Sequence, residues 1–269
     1  MLTLPQTPWL SILLPTRARP VQATRLLTSL LTTASDPGGL EVLLYIDEDD
    51  PQSLGIGLSG LQVERHLGPP GLGLGVMTNV LYRAAKAPYI LLCGDDHVFR
   101  TPGWDEAVRA EFARFPDDVA LVYGNDLFQG EQICTAPFLS RTACELMGGP
   151  CPAVYKSSYI DTHLLDIFAH LEHLGHKRRI YLPDMVIEHL HHLAGKAELD
   201  ATYLNRPLSG EQSQALYLGL EPMRDRQIKA LARHIRDCSR HAGPEGAPPA
   251  ARGAAPASRQ GLASGGQRA

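Results

Sequence analysis

Residues 89–99 read YILLCGDDHVF. Four residues suited to a buried strand run through Cys93 into Gly94, then two carboxylates and an imidazole follow without a spacer. Burying Asp95, Asp96 and His97 together would be costly, because adjacent carboxylates repel and each loses its hydration. Such a cluster needs open solvent or a cation. Oxygen ligands plus one imidazole suit Mn or Mg. The bland alternative is an acid that caps the helix starting near TPGW (101–104).

Outward from this stretch, short apolar runs alternate with helical spacing. WLSILLP (9–15) and LEVLLYID (40–47) read as buried strands, PVQATRLLTSLLTT (20–33) as a helix opened by proline, and LQVERHL (61–67) as an edge strand. GLGLGVMTNVLYRAAKA (71–87) reads as a glycine loop entering a helix. PYILLCG (88–94) is a strand, TPGWDEAVRAEFARF (101–115) a helix and DVALVYG (118–124) another strand. This βαβ rhythm implies a largely parallel sheet with helices on both faces.

The second half changes character. QICTAPFLSRTACELMG (132–148) gives a strand and then a helix. YIDTHLLDIFAHLEHLG (159–175) is amphipathic, with Ile160, Leu164, Leu165, Phe168, Leu171 and Leu174 on one side. His163, His170 and His173 fall on the side assigned to solvent. RRIYLP and DMVIEHLHH read as two short strands, and 210–237 as a final helix. From about 240 the chain is Gly, Ala, Pro, Ser and Arg with one leucine, a composition expected to stay disordered. The expected organisation is a domain over 1–208 (halves 1–125 and 126–208), a helix over 209–238 and a tail over 239–269.

The 269 residues carry a net charge of −4, which gives no basis for nucleic-acid binding. Five cysteines without CxxC spacing read as reduced thiols of a cytoplasmic protein. The amino-terminal stretch lacks a basic region and does not read as a signal peptide. No apolar run approaches the roughly 18 residues of a membrane span.

Open parallel sheets bind ligands at the carboxyl ends of their strands. Three such ends carry polar chemistry: PTR (15–17), DEDD (47–50) and GDDH (94–97). Late in the chain, EHLHH (188–192) puts His189 and His191 on one face if the strand continues, or forms a surface histidine cluster. Asp161 opens the 159–175 helix, either as a charge favoured by the helix dipole or as a base presented at a helix tip. GLGLG lacks the spacing of a phosphate-binding loop.

In order and spacing, these pieces resemble the GT-A-fold, family-2-like glycosyltransferases. SILLPTRARP is similar to their opening strand and LLYIDEDDP to their second. MTNVLYRAAKAPYILLCGDDHVF is similar to the helix and strand leading to their Asp-x-Asp motif. YIDTHLLDIFAHLEHLGHKRRIYLPDMVIEHLHH is similar to their acceptor side. The resemblance spans about residues 9 to 205. It implies a Rossmann-like α/β fold with a mostly parallel central sheet and a smaller acceptor-side part. It implies Pro15, Thr16, Arg17, Asp47, Asn79 and Asp95 at the nucleotide, and Asp96, His189 and His97 at a Mn2+ or Mg2+ ion. Asp161 would be the base acting on an acceptor hydroxyl. The donor would be a nucleotide-diphosphate sugar, and the acceptor a glycan, lipid-linked or protein group.

Two features depart from that pattern. The motif is Gly94-Asp95-Asp96, or else is shifted to Asp95-Asp96-His97. The Gln/Arg-x-x-Arg-Trp sequence of processive synthases is absent. Two further readings stand beside this one: a non-catalytic nucleotide- or glycan-binding member of the same fold, and a metallophosphoesterase built on Gly-Asp-x-His (94–97) with the late histidines.

Overall fold

The computed structural model describes residues 7–204 and 207–241. One eight-stranded sheet organises it, in the order β3-β2-β1-β4-β7-β6-β8-β5. β1 (Leu10–Thr16), β2 (Leu40–Asp47), β3 (Gln62–Gly68) and β4 (Tyr89–Leu92) form its parallel half. All eight β2 residues are buried, which is why that run carries no apolar–polar alternation. β3 lies at the edge, as its alternating pattern implies. α1 (Pro20–Thr33) and α2 (Leu74–Ala84) connect these strands.

The other half is mixed. β7 (Phe138–Ser140) pairs antiparallel with both β4 and β6 (Leu121–Asn125), and β6 pairs parallel with β8 (Arg179–His189). α3 (Trp104–Phe112) precedes β6, α4 (Arg141–Met147) follows β7 and α5 (Ile160–His173) precedes β8. The two apolar cores lie on opposite faces of the sheet. One contains Leu13, Tyr123, Phe168 and Leu231, and the other Ile12, Trp104, Phe112 and Phe138.

Four expectations need correction. RRIYLP and DMVIEHLHH are one strand, β8, whose pairing with β6 shifts register at Gly124/Asn125. A Cβ on Gly124 would stand 2.3 Å from the Met185 carbonyl oxygen, so this close approach requires glycine. The short strand β5 (His97–Phe99), unforeseen in the sequence, leaves the β4 end and pairs antiparallel with β8. The final helix is two, α7 (Gly210–Gly219) and α8 (Glu221–His241), joined after the short α6 (Ala201–Leu204). The tail expected from 239 is still helical to His241, and its remainder lies outside the described residues.

The fourth correction concerns α5. His163 is 1% exposed, whereas Leu174, assigned to the apolar side, is 58% exposed. In the neutral ring Nε2–H donates to Gln227 Oε1 and Nδ1 accepts from the Tyr155 hydroxyl, both at 2.9 Å. Gln227 then donates to the Met147 carbonyl, so one buried relay ties α5, α8 and α4 together. Burial pushes the His163 pKa down from 6.5 to about 4. The folded protein therefore binds fewer protons at this ring than the unfolded chain does. Its stability contribution is complete above pH 6.5 and is lost as pH falls toward 4, by about 3 kcal/mol at the limit. Denaturant unfolding of the wild type and His163→Gln across this range checks it. The variant is expected to have a shallower pH dependence, whatever its absolute stability.

Candidate functional site

The carboxyl ends of β1, β2 and β4 meet at one edge of the parallel half. Thr16 closes β1 and donates its hydroxyl hydrogen bond to Asp95 Oδ2 at 2.8 Å. Arg17 reaches across to Asp47, which closes β2, and to Asp49. Arg19 turns the other way and donates to Asp95 Oδ1 at 3.0 Å. Between the two arginines, Ala18 adopts φ 56°, a left-handed conformation unusual for a residue with a Cβ. Its N–H is held by Asp50 Oδ2 at 2.7 Å. That strained turn sends consecutive arginines to different carboxylates. Asp47 Oδ1 and Asp50 Oδ1 are buried without a hydrogen-bond partner.

Asp95 is buried and already engaged on both oxygens. Burial pushes its carboxyl up to about 6, with Asp96 adding to the rise and Arg19 and Thr16 opposing it. Arg19 is buried too. Its Nε and Nη2 each meet Asp200 at 2.7 Å, a two-pronged ion pair that ties the segment after β8 to the site. Burial opposes the Arg19 charge, but Asp200 and Asp95 outweigh it and hold the guanidinium charged.

Asp96 lies between Arg19, whose Nη1 is 3.9 Å from its Oδ2, and two histidines. Its Oδ2 lies 3.4 Å from His189 Nε2 and its Oδ1 lies 3.5 Å from His97 Nδ1. Pairing of β5 with β8 sets His97 directly opposite His189, and their rings stack at 4.5 Å with planes 12° apart. His189 and His191 do approach one another, at 5.0 Å, with His191 stacked on Phe128. His97 is buried and its Nδ1 is engaged with the Gly94 backbone. Burial, then the neighbouring His189, pushes its pKa down to about 4, so the ring is neutral near pH 7.

Two ligands that each sit about 2.1 Å from one cation stand about 3–4 Å apart. The Asp96–His189 separation fits that requirement, and the carboxylate–imidazole pair is a hard donor set suited to Mn2+ or Mg2+. Among the described residues, no group of three or more His, Cys, Asp or Glu side chains is arranged to hold a metal. His97 Nδ1, 3.5 Å from Asp96 Oδ1, meets the same separation, with its ring stacked on that of His189.

Asp161 opens α5, and its Oδ1 accepts hydrogen bonds from the Thr162 N–H and hydroxyl. Burial holds its carboxyl above the ordinary carboxylate range, opposed chiefly by the Thr162 hydrogen bonds. Tyr159, two residues earlier, has φ 73° and stacks on Tyr217 at 5.2 Å. Asn79 does not present its amide to this edge. Its Nδ2 donates to the Gly75 and Cys151 carbonyls, tying α2 to the 149–151 turn. Pro15 lies within β1 opposite Tyr45 of β2.

Sequence reasoning missed Asp126, Arg19 and Asp200. Asp126 is buried beside Leu127, itself at φ 55°. Its Oδ1 accepts from the backbone N–H groups of Phe128, Gln129 and Gly130, and its Oδ2 from the Thr135 hydroxyl. So fixed, Oδ2 lies 3.9 Å from His189 Nδ1, while the His189 N–H donates to the Asp126 carbonyl at 3.0 Å. The signal was present as GND at the end of a strand, but no local rule links it to a histidine 63 positions later. Arg19 was visible in PTRARP; its partner Asp200 lies 181 residues away.

A cleft of about 280 Å³ opens beside Asp96, between Arg19 and Arg25 on one side and 196–200 on the other. A larger hollow of about 590 Å³ runs along α1 against β5, but none of the carboxylates lines it.

No protein-family profile and no curated protein matches the chain. Solved structures do match in fold, and they are of GT-A type. One is the mannosyltransferase PcManGT from Pyrobaculum calidifontis in complex with GDP-Man and Mn2+. It has a TM-score of 0.59 and 15% identity, over 91% of this chain and 77% of that one. Another is S. aureus TarS 1-349 in complex with UDP, at TM-score 0.51 and 18% identity, over 87% and 91%. A third is glucosyl-3-phosphoglycerate synthase from Mycobacterium tuberculosis in complex with Mg2+ and UDP, at TM-score 0.53 and 13% identity, over 81% and 80%. The chain thus has the GT-A fold. No helix among the described residues is long and apolar enough to cross a membrane.

Proposed function

We propose that this protein is a divalent-metal-dependent glycosyltransferase that moves a sugar from a nucleotide diphosphate to an acceptor hydroxyl with inversion. The observation that carries this reading is the facing of Asp96 and His189 at the carboxyl edge of the sheet. The structural neighbours solved with nucleotides and Mn2+ or Mg2+ support it.

Asp96 and His189 would hold the cation, which supplies charge to neutralise the departing diphosphate. Asp47 and Asp50, each with a buried unpartnered oxygen, offer acceptors for base or ribose donors. Thr16 and Arg19 clamp Asp95 and so fix the turn that aims Asp96. Asp161 would take the proton from the acceptor hydroxyl as the new glycosidic bond forms. A base on one face of the sugar and the leaving group on the other make a single displacement, which inverts the anomeric centre. A two-metal phosphoesterase would need a larger ligand cluster than the described residues contain.

Calorimetric titration of UDP and GDP, with and without Mn2+, tests the reading. Micromolar binding of one of them that requires Mn2+ is expected, followed by donor-dependent sugar transfer. Metal uptake without nucleotide binding would overturn it. The same titration tests Asp126. With Asp126→Ala, His189 loses the carboxylate beside Nδ1, and Mn2+ affinity is expected to fall about 10- to 100-fold. Unaltered affinity would remove Asp126 from any positioning role.

A further inference from the structure

α8 has two faces of opposite character. Arg224, Gln227, Ile228, Leu231, Ala232 and Ile235 are buried, packing this side onto α4 and α5. Arg226, Lys229, Arg233, Arg236 and Arg240 are exposed, at successive spacings of three, four, three and four. At about 100° per residue and about 1.5 Å of rise, they fill a sector about 80° wide and about 21 Å long, opposite the buried side. Removing these five positive charges from a net of −4 leaves −9 on the rest of the chain.

Acids border this sector: Asp225 lies four residues before Lys229 and Asp237 four after Arg233, both exposed, so the face is net basic with an acid at each edge. Arg240 lies 3.6 Å from Asp237, but among the described residues Arg226, Lys229, Arg233 and Arg236 form no ion pair. Like charges three and four residues apart repel along a helix, and an anionic partner relieves that repulsion.

We infer that the exposed face of α8 docks the protein on an anionic lipid surface. Five basic side chains aligned along one outward side of a helix can meet a plane of headgroups together. Entry into a nucleic-acid groove would need a helix free on more than one side, whereas α8 is buried along half its circumference. The ridge also lacks an aromatic residue on which bases could stack. Because the apolar face of α8 is committed to the core, the contact is electrostatic and peripheral. It does not depend on the catalytic reading above.

Sedimentation of the full chain with phosphatidylcholine vesicles, with and without phosphatidylglycerol, tests this. Each basic side chain near such a surface contributes about fivefold in partitioning. Binding to the anionic vesicles is expected to exceed binding to neutral ones at least about a hundredfold, and to vanish at high salt. The triple variant Lys229→Gln, Arg233→Gln, Arg236→Gln is expected to bind about a hundredfold more weakly with an unchanged circular dichroism spectrum. The charge-preserving variant Lys229→Arg, Arg233→Lys, Arg236→Lys is expected to bind normally. Equal partitioning onto neutral vesicles, or full binding by the triple Gln variant, would overturn the inference. So would equally tight binding of a DNA duplex at matched phosphate concentration, which would make the ridge a general polyanion site.

Discussion

Asp96→Asn is expected to lower metal-dependent sugar transfer by about a thousandfold while leaving the protein folded. The substitution keeps the side-chain volume but removes the charge that faces His189 Nε2 at 3.4 Å. A neutral amide is a poor ligand for a hard divalent ion, and the diphosphate would then depart without its counter-charge. Fold is expected to survive because Asp96 lies at a strand end outside both apolar clusters. Relief of carboxylate repulsion with Asp95 works in the same direction. Paired measurements of Mn2+ binding and turnover check the claim. Turnover at the wild-type level in a variant that has lost its metal would remove Asp96, and the cation, from the mechanism. The same substitution at His97 is a useful contrast. His97→Asn removes a ring that stacks on His189, so it is expected to change activity less than Asp96→Asn does.

Asp161→Asn is expected to lower kcat by about 10²- to 10⁴-fold, the usual contribution of a positioned base. The KM for the donor is expected to stay within a few-fold, since none of the groups assigned to the nucleotide touches Asp161. This split separates the base from a donor-binding role, where KM would rise and kcat would hold. A base acts in its deprotonated form, so the wild-type rate is expected to climb with pH as Asp161 ionises. Burial displaces that limb above the ordinary carboxylate range, against the Thr162 hydrogen bonds. The limb is expected to vanish in the variant. An acidic limb that persists unchanged in Asp161→Asn would assign the base elsewhere.

Much of the fold was legible because its signals are local. Pro20–Thr33 and Leu40–Asp47 are the helix and strand that their spacing implies, to the residue. The parallel half follows, since buried parallel strands are apolar throughout and need crossover helices. The reading faltered where tertiary pairing overrides local pattern. Pro183 and Asp184 look like a break, yet β8 runs through them, because Gly124 lets the backbones approach at the bulge. His163 lies on the polar side of the 159–175 pattern, yet a hydroxyl and an amide from other elements satisfy it inside the core.

For the site, the sequence alone determined which strand ends carry acids, that Asp95 and Asp96 share one of them, and that Asp161 sits at a helix tip. Those facts depend on residues a few positions apart. Only the tertiary structure gave the surroundings of each residue within GDDH. Thr16 and Arg19 engage Asp95, Asp96 lies between Arg19 and His189, and the β5–β8 pairing stacks His97 on that histidine. The Asp126 carboxylate beside His189 and the Asp200 clamp on Arg19 belong to the same level. The physical reason is separation along the chain. Charge and hydrogen-bond partners act over a few ångströms, and the chain brings residues 63 to 181 positions apart within that range only after the sheet has formed.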